Sequence, residues 1–206
     1  MVAPARHPQQ ARSRQAFDRI VAAARELSET RDFDSISVRE LARAAGCSVG
    51  SFHYRFGTKE DFFRFLVEDM IRRREAEAEE TFATTPIADL PAALARGAVA
   101  NYRRYGGFLR SVIKRHLEGK ADWQPISQMG GRYSARFMAC VEEARGRPLS
   151  EAQRERVRFS FVWLYGLLSQ SVIGLSISLG MERAYFEREA VRSFEQAITA
   201  AIGEEG

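Results

Sequence analysis

Apolar residues recur at helical spacing along nearly the whole chain, and this periodicity constrains the fold more than any other feature. Over residues 13–30, the apolar side chains that share one helical face are Phe17, Ile20, Val21, Ala24 and Leu27. Clean alternation of apolar and polar residues is absent outside segments that fit the helical period better, and turn pairs typical of hairpins are absent too. We therefore predict an all-α protein.

Two short helices separated by a tight turn are predicted after the first helix. Ser37 and Glu40 form the Ser-x-x-Glu pattern that caps the start of a helix. Gly46 is suited to close that helix, and Ser48 can cap the next one. This spacing is typical of a helix-turn-helix, in which one helix braces another in a DNA groove. An ordinary corner between two helices has the same spacing, so spacing alone leaves both readings open.

The side chains of the third helix favour DNA binding. Phe52 and Phe56 are four residues apart and are predicted to face inward. The rest of the helix surface is unusual for a solvated face, since it consists of Val49, Gly50, Ser51, His53, Tyr54 and Arg55. Hydroxyl, imidazole and guanidinium groups can bind phosphate oxygens, and a glycine permits close approach to a duplex. Thr58 can cap a fourth helix, whose amides and Lys59 would form an anion site for a backbone phosphate.

Residues at many positions between 14 and 66 form one recognisable pattern. They are Phe17, Ala22 to Ala24, Ser37 to Ala42, Ala45, Gly46, Ser48, Gly50, Phe52, Tyr54, Phe56 and Thr58 to Glu60. This pattern resembles the TetR family of one-component transcriptional regulators. The resemblance implies an N-terminal three-helix helix-turn-helix DNA-binding domain, followed by a larger helical-bundle domain that binds a small ligand and dimerises.

Carried over position by position, the resemblance also implies roles for individual residues. Base or groove contacts are implied for Arg39, Val49, Gly50 and Ser51. Phosphate contacts are implied for Ser48, His53, Tyr54 and Lys59, and the expected DNA-binding set also includes Arg55 and Thr58. The chain departs from the family pattern at His53, where tyrosine is usual, and at Arg55, where histidine or tyrosine is usual.

Positive charge is concentrated at the N-terminus. Residues 1–59 hold 10 Lys or Arg and 6 Asp or Glu, whereas residues 60–206 hold 21 of each, so the net charge of +4 lies in the first segment. A basic domain joined to a neutral one suggests an anionic partner, either nucleic acid or an acidic membrane surface. We expect a disordered basic arm over 1–12, the helix-turn-helix domain over 13–57, and the ligand-binding and dimerisation domain over 58–206.

Aromatic and methionine side chains cluster in the middle of the second domain. Helices are expected over 90–105, 107–117 and 123–144, with glycines between the first two. Aromatic stripes usually fill a core, but helical bundles also hold ligands, and Tyr, Trp and His supply polar tips to such sites. The residues expected to bind a small, largely apolar or aromatic effector are Tyr102, Tyr105, Phe108, His116, Trp123, Met129, Tyr133, Phe137 and Trp163.

Residues 159–181 carry no charged side chain, and the run is long enough to cross a bilayer. Five serines, one glutamine and three glycines interrupt it, which favours a buried helix at a protein interface. We predict a long helix over 151–179 and a final helix over 182–202, and two such pairs would form a four-helix bundle between subunits. The expected dimer interface consists of Phe161, Leu164, Leu168, Val172, Leu175, Phe186, Phe194 and Ile198.

Motifs that carry catalysis are absent from the sequence. The three histidines, His7, His53 and His116, lie far apart, and no Cys or His pair has metal-ligand spacing. Neither a Gly-x-Ser-x-Gly motif nor a phosphate-binding glycine loop occurs. We therefore expect no enzyme activity, no metal and no cofactor. Two cysteines are too few for a disulfide framework, and the N-terminus lacks the apolar stretch of a secretory signal, so a cytoplasmic protein is expected.

Together, these features predict a ligand-responsive transcriptional regulator, with repression as the expected mode. It would bind double-stranded operator DNA as a homodimer, and a small-molecule effector would release it by shifting the fourth helix. No membrane is among its expected partners. The alternative is a helical small-molecule carrier, or a membrane-associated protein whose basic N-terminal domain touches anionic lipid.

Overall fold

The computed structural model describes residues 8–174, 180 and 183–203, and these form helices joined by short connections. No strand occurs in these ranges, and the all-α prediction is confirmed. The helices are α1 (Pro8–Thr30), α2 (Val38–Ala44), α3 (Val49–Phe56), α4 (Lys59–Thr84), α5 (Leu90–Leu117), α6 (Gln124–Arg145), α7 (Glu151–Val172) and α8 (Ala184–Gly203). A 3-10 turn, Phe33–Ser35, lies between α1 and α2.

Helix α1 begins earlier than the sequence predicts. Residues 8–12, expected in the disordered arm, are helical, and residues 1–7 lie outside the described residues. Pro8 suits the first turn of a helix because its missing N–H would be unsatisfied there anyway. The glutamines, alanine and arginine that follow are good helix formers, which accounts for the early start.

The chain divides into two compact units, residues 1–70 and 71–206. The division falls inside α4, further along the chain than the boundary expected at residue 57. The first part of α4 belongs to the N-terminal unit because its Phe62, Phe63 and Leu66 side chains are buried there. Phe62 lies against three other phenylalanines of this unit, with ring centroids 6.2 Å from Phe33, 5.1 Å from Phe52 and 4.4 Å from Phe56.

The caps of the helix-turn-helix are those that the sequence predicts. Ser37 and Glu40 form a capping box, in which the Ser37 Oγ accepts from the Glu40 N–H at 3.2 Å. Gly46 has a φ of 62°, the left-handed region that glycine adopts without strain. The Ser48 Oγ accepts from the Ser51 N–H at 3.1 Å and so caps α3. Helix α2 packs on both α1 and α3.

In the second unit, one helix replaces the two that the sequence predicts before residue 117. Helix α5 runs through Gly106 and Gly107 without a break. A glycine inside a helix costs about 1 kcal/mol relative to alanine. Here Gly107 is buried, and a Cβ at Gly106 would lie 3.7 Å from Cγ2 of Val172 on α7. Close packing of α5 against α7 and α8 therefore offsets the cost of the glycine pair.

The long helix predicted over 151–179 is shorter in the structure. Helix α7 ends at Val172, and Gly174 follows with a φ of 78°. The left-handed glycine stops the helix, while residues 175–179 lie outside the described residues. No helix within the described ranges has the length and apolar character that a membrane crossing requires.

The residues expected at the dimer interface are buried inside the single chain. Within α7 and α8, the structure buries Phe161, Leu164, Leu168, Val172, Phe186, Phe194 and Ile198, whereas Leu175 lies outside the described residues. The Phe161 and Phe194 rings meet edge to face, with centroids 5.1 Å apart. Helical periodicity identifies an apolar stripe, but in the uncharged part of α7 it cannot tell the stripe that faces the core from a second apolar face.

Candidate nucleic-acid interface and ligand cavity

Helix α3 turns one face into the N-terminal core and the other to solvent. Phe52 and Phe56 are buried, as the sequence predicts. Tyr54 is 87% exposed, and Val49 and His53 are also exposed. The two phenylalanines fix the rotation of the helix, and the polar side chains are consequently held outward on a rigid element.

Helix α2 adds positive charge close in sequence to α3. Arg39 is exposed and forms no ion pair with any residue that the structure describes. Arg43 is exposed as well and lies one helical turn further along, where the sequence analysis did not assign it a role. The i, i+4 spacing puts both guanidinium groups on one side of α2 and is the signal that could have found Arg43.

Within α3, three of the predicted DNA contacts already have partners inside the protein. Arg55 Nη1 donates to the Ser51 carbonyl oxygen at 2.9 Å and to the Ser51 Oγ at 2.5 Å. The His53 Nδ1 lies 2.6 Å from the Gly57 carbonyl oxygen. Ser51 and Arg55 are only partly exposed. Tyr54 and Arg39 are therefore better placed than these residues to reach an external partner.

The start of α4 is occupied by one of its own carboxylates. The Thr58 N–H donates to Asp61 Oδ2 at 3.0 Å, and the Thr58 hydroxyl donates to the same oxygen at 2.6 Å. These hydrogen bonds hold the pKa of Asp61 below its usual value. Lys59 Nζ donates to the Asp34 carbonyl oxygen at 2.9 Å and lies over the Phe33 ring. The anion site expected at Thr58 and Lys59 is thus filled from within.

The second unit contains a cavity of about 560 Å³ between α4, α5, α6 and α7. Its walls are mainly apolar and aromatic, with serine hydroxyls and two arginines among them. Of the predicted ligand-binding residues, Tyr102, Trp123 and Met129 line it. The Tyr102 hydroxyl lies 3.1 Å from the Ser169 Oγ, so this polar pair spans α5 and α7 at the cavity wall.

A second cavity of about 370 Å³ includes the predicted residue Tyr133 in its walls. The other predicted ligand-binding residues line neither cavity. Tyr105, Phe108 and Phe137 are buried in the core, where aromatic residues at helical spacing most often pack. The remaining two are on the surface: His116 is exposed, with Nδ1 3.2 Å from the Ala121 carbonyl oxygen, and Trp163 is 38% exposed on α7.

Sequence reasoning missed the residues that the two cavities share, Arg74 and Tyr165. Arg74 stands in a run of three arginines followed by an acidic stretch, a composition typical of a solvated helix face. In the structure, Arg74 is nevertheless buried, with its guanidinium 5.5 Å from the centre of the Tyr102 ring. Among the described residues, no group of three or more His, Cys, Asp or Glu could hold a metal ion.

A helix-turn-helix with an outward third helix, followed in the chain by a helical unit that contains cavities, is the arrangement expected of a one-component regulator. Comparison with known proteins agrees. The family model described as bacterial regulatory proteins, tetR family, matches residues 20–65. The HTH-type transcriptional regulator EthR of Mycolicibacterium smegmatis is 33% identical over 135 residues, which are 63% of this chain and 62% of EthR. Residues 20–65 therefore match the N-terminal region of the tetR family of bacterial regulatory proteins, and the chain spans less than two thirds of the length of EthR.

Solved structures described as TetR-family regulators share the fold over most of their length. A TetR-family regulator from Mesorhizobium loti superposes with a TM-score of 0.65 at 18% identity, covering 93% of this chain and 97% of that one. A second, from Rhodococcus sp., gives a TM-score of 0.64 at 15% identity, with 91% and 98% covered. The named relatives are described as transcriptional regulators.

Proposed function

We propose that this protein is a transcriptional repressor of the cytoplasm that binds operator DNA as a homodimer and is released by a small effector. The observation that carries the proposal is the rotation of α3. Its phenylalanines anchor the helix in the core while Tyr54, Val49 and Gly50 face outward, with Arg39 exposed on the bracing helix. Such a helix can enter a major groove, where side chains read base edges and bind flanking phosphates.

The residues proposed to bind DNA differ in whether they must first break a hydrogen bond within the protein. Arg39 is free of internal ion pairs with the described residues, so it can bind a phosphate or a guanine edge without first breaking a bond. The Tyr54 hydroxyl can donate to a phosphate oxygen. By contrast, Lys59 would have to leave the Asp34 carbonyl oxygen, and Arg55 would have to leave Ser51, before either bound DNA.

Dimerisation through the outer face of α7 replaces the interface expected from the sequence. The large apolar side chains on this face are exposed in the single chain: Phe159 at 69%, Val162 at 67%, Trp163 at 38% and Ile173 at 36%. Val162 and Trp163 lie three and four residues after Phe159, and Ile173 lies ten residues after Trp163, so all four fall on one side of the helix at its 3.6-residue period. A soluble chain that exposes a contiguous apolar stripe of this kind has an interaction site there, and a two-fold partner presents the same stripe.

Effector control can act through α4, which is continuous from the N-terminal unit into the second. Its first residue, Lys59, lies in the N-terminal unit and donates to the Asp34 carbonyl oxygen, and Arg74 on the same helix lines both cavities. An effector that prefers one position of α4 would change DNA affinity by its differential affinity for the two states, typically about 1–3 kcal/mol.

Fluorescence anisotropy tests DNA binding with labelled duplex from upstream of the gene, random duplex and vesicles of anionic lipid. We expect the upstream duplex to bind most tightly. Arg39→Ala should weaken binding and reduce the slope of log affinity against log salt by about 1, whereas Arg192→Ala, which removes a charge from α8, should not. Equal affinity for all duplexes and vesicles would favour the membrane-associated alternative, and unchanged binding by Arg39→Ala would exclude its role.

Sedimentation velocity tests the dimer. The wild-type chain should sediment as a dimer at micromolar concentration, and Val162→Asp should sediment as a monomer because it places a charge in the apolar stripe. Ala139→Asp on the exposed side of α6 is the matched control and should leave the dimer intact. A wild-type monomer under these conditions would remove the interface from the proposal.

A further inference from the structure

Arg74 is a buried cation in the wall of both cavities. Only 3% of the residue is exposed, and its Nε is buried without a hydrogen-bond partner among the described residues. Its guanidinium carbon lies 5.5 Å from the centre of the Tyr102 ring. A cation–π contact of this kind stabilises the charge but satisfies none of the five N–H donors of the side chain.

The other arginines of the cavity walls are neutralised by carboxylates. Arg104 pairs with Glu77 at 3.1 Å, and Arg158 pairs with Glu151 at 2.9 Å. For Arg74, no carboxylate among the described residues serves as a partner. An arginine does not lose its proton in a protein, and an unpaired buried charge is costly. The positive charge of Arg74 is therefore not neutralised by a carboxylate in the wall that the two cavities share.

Two tyrosines that share cavity walls with Arg74, Tyr133 and Tyr165, add hydrogen-bond donors to the same site. The Tyr133 hydroxyl is buried and has no hydrogen-bond partner among the described residues. Burial raises the pKa of Tyr133 to about 12 and raises the pKa of Tyr165 above its usual value. Both phenols therefore keep their protons at neutral pH and can act as hydrogen-bond donors. A group that complements a cation and two donors is an acceptor that carries negative charge.

We propose that the effector is an amphiphilic anion, a carboxylate or similar oxyanion on an apolar body. The anion lies against Arg74, where the two cavities share a wall, and the apolar body lies among Ile126, Met129, Met138 and Phe161 of the larger cavity. This inference rests on the proposed function, because it takes the cavity to be the effector site. It adds the charge of the ligand and the residue that recognises it.

Two fluorescent probes of nearly the same shape test the inference on the full-length protein. 8-Anilinonaphthalene-1-sulfonate carries an anionic group, and N-phenyl-1-naphthylamine is its uncharged counterpart. The wild type should bind the anionic probe more tightly, with one molecule per chain. Arg74→Gln should weaken binding of the anionic probe about tenfold or more and leave the neutral probe within about twofold, since a hydrogen bond to a charged group is lost.

Arg132→Gln is the matched control, because it removes a neighbouring charge that is paired with Glu75 on the surface. It should change neither probe's affinity by more than about twofold. Arg74→Lys keeps the charge and should retain most of the preference for the anion. If Arg74→Gln does not fold, the wild-type comparison and the lysine variant decide the question.

Several results would overturn the inference: equal wild-type affinity for the two probes, equal loss of both in Arg74→Gln, or no binding of either. Because these measurements are made without DNA, their outcome does not depend on whether the protein binds an operator. Loss of operator binding with a retained preference for the anion would refute the DNA-binding proposal alone. Operator binding without any preference for the anion would refute the effector class alone.

Discussion

Replacing Phe62 by alanine should destabilise the N-terminal unit and leave the stability of the second unit unchanged. Phe62 is fully buried, with ring centroids within 6.5 Å of four other phenylalanines of this unit, namely Phe33, Phe52, Phe56 and Phe65. Deleting such a ring costs about 3–5 kcal/mol, since the transfer free energy is lost and a cavity remains. That cost is a large part of the roughly 5–15 kcal/mol that stabilises a typical domain.

The distribution of tryptophan makes this effect measurable. Both tryptophans, Trp123 and Trp163, lie in the second unit, so their fluorescence reports on that unit, whereas far-ultraviolet circular dichroism reports on helices in both. In urea, Phe62→Ala should shift the dichroism transition to lower denaturant and leave the fluorescence transition in place. Phe62→Leu, which keeps most of the volume, should cost only about 1 kcal/mol. An equal shift of the two transitions would show that the units unfold together and would refute the reasoning.

Further predictions concern single interactions. The pKa of Glu40 is lowered from 4.5 to about 2, chiefly by its hydrogen bond to the Ser37 backbone and then by Arg31. The stability that it contributes is therefore complete above pH 4.5 and is lost as the pH falls towards 2. Urea midpoints measured between pH 7 and pH 2.5 should fall less steeply for Glu40→Gln than for the wild type, and parallel curves would contradict this. Gly97→Ala should raise the free energy of unfolding by up to about 1 kcal/mol, because Gly97 lies inside α5 with open space around its Cα. Gly146→Ala should lower it by about 1–2 kcal/mol, because Gly146 has a φ of 64°. Urea denaturation measures both, and a change of the opposite sign would contradict either expectation.

The helix-turn-helix could be predicted from sequence because local chemistry determines it. Ser37, Glu40, Gly46 and Ser48 act through bonds to residues at most a few positions away, so their spacing carries the information. The inward rotation of Phe52 and Phe56 follows from helical periodicity in the same way.

Features that depend on tertiary contacts could not be predicted from the sequence. Gly106 and Gly107 are helical because neighbouring helices pack against them, and the composition of the segment does not show this. Asp61 fills the start of α4, although its sequence position is equally compatible with a solvated carboxylate. The burial of Arg74 had no sequence signal at all, since arginine runs on helices are usually exposed. The stripe of α7 that was expected at a subunit interface is buried in the single chain, and periodicity could not distinguish it from the outer face because both faces of this helix carry apolar residues.

Val162 belongs to both regions that we assign to association. Its side chain is 67% exposed on the outer stripe of α7, and it also lines the larger cavity. A molecule in that cavity therefore touches the surface on which a second copy would rest. If the bound molecule changes the self-association constant by some factor, thermodynamic linkage requires that self-association change the affinity for the molecule by the same factor. The affinity of the chain for the proposed effector should thus depend on the concentration of the protein.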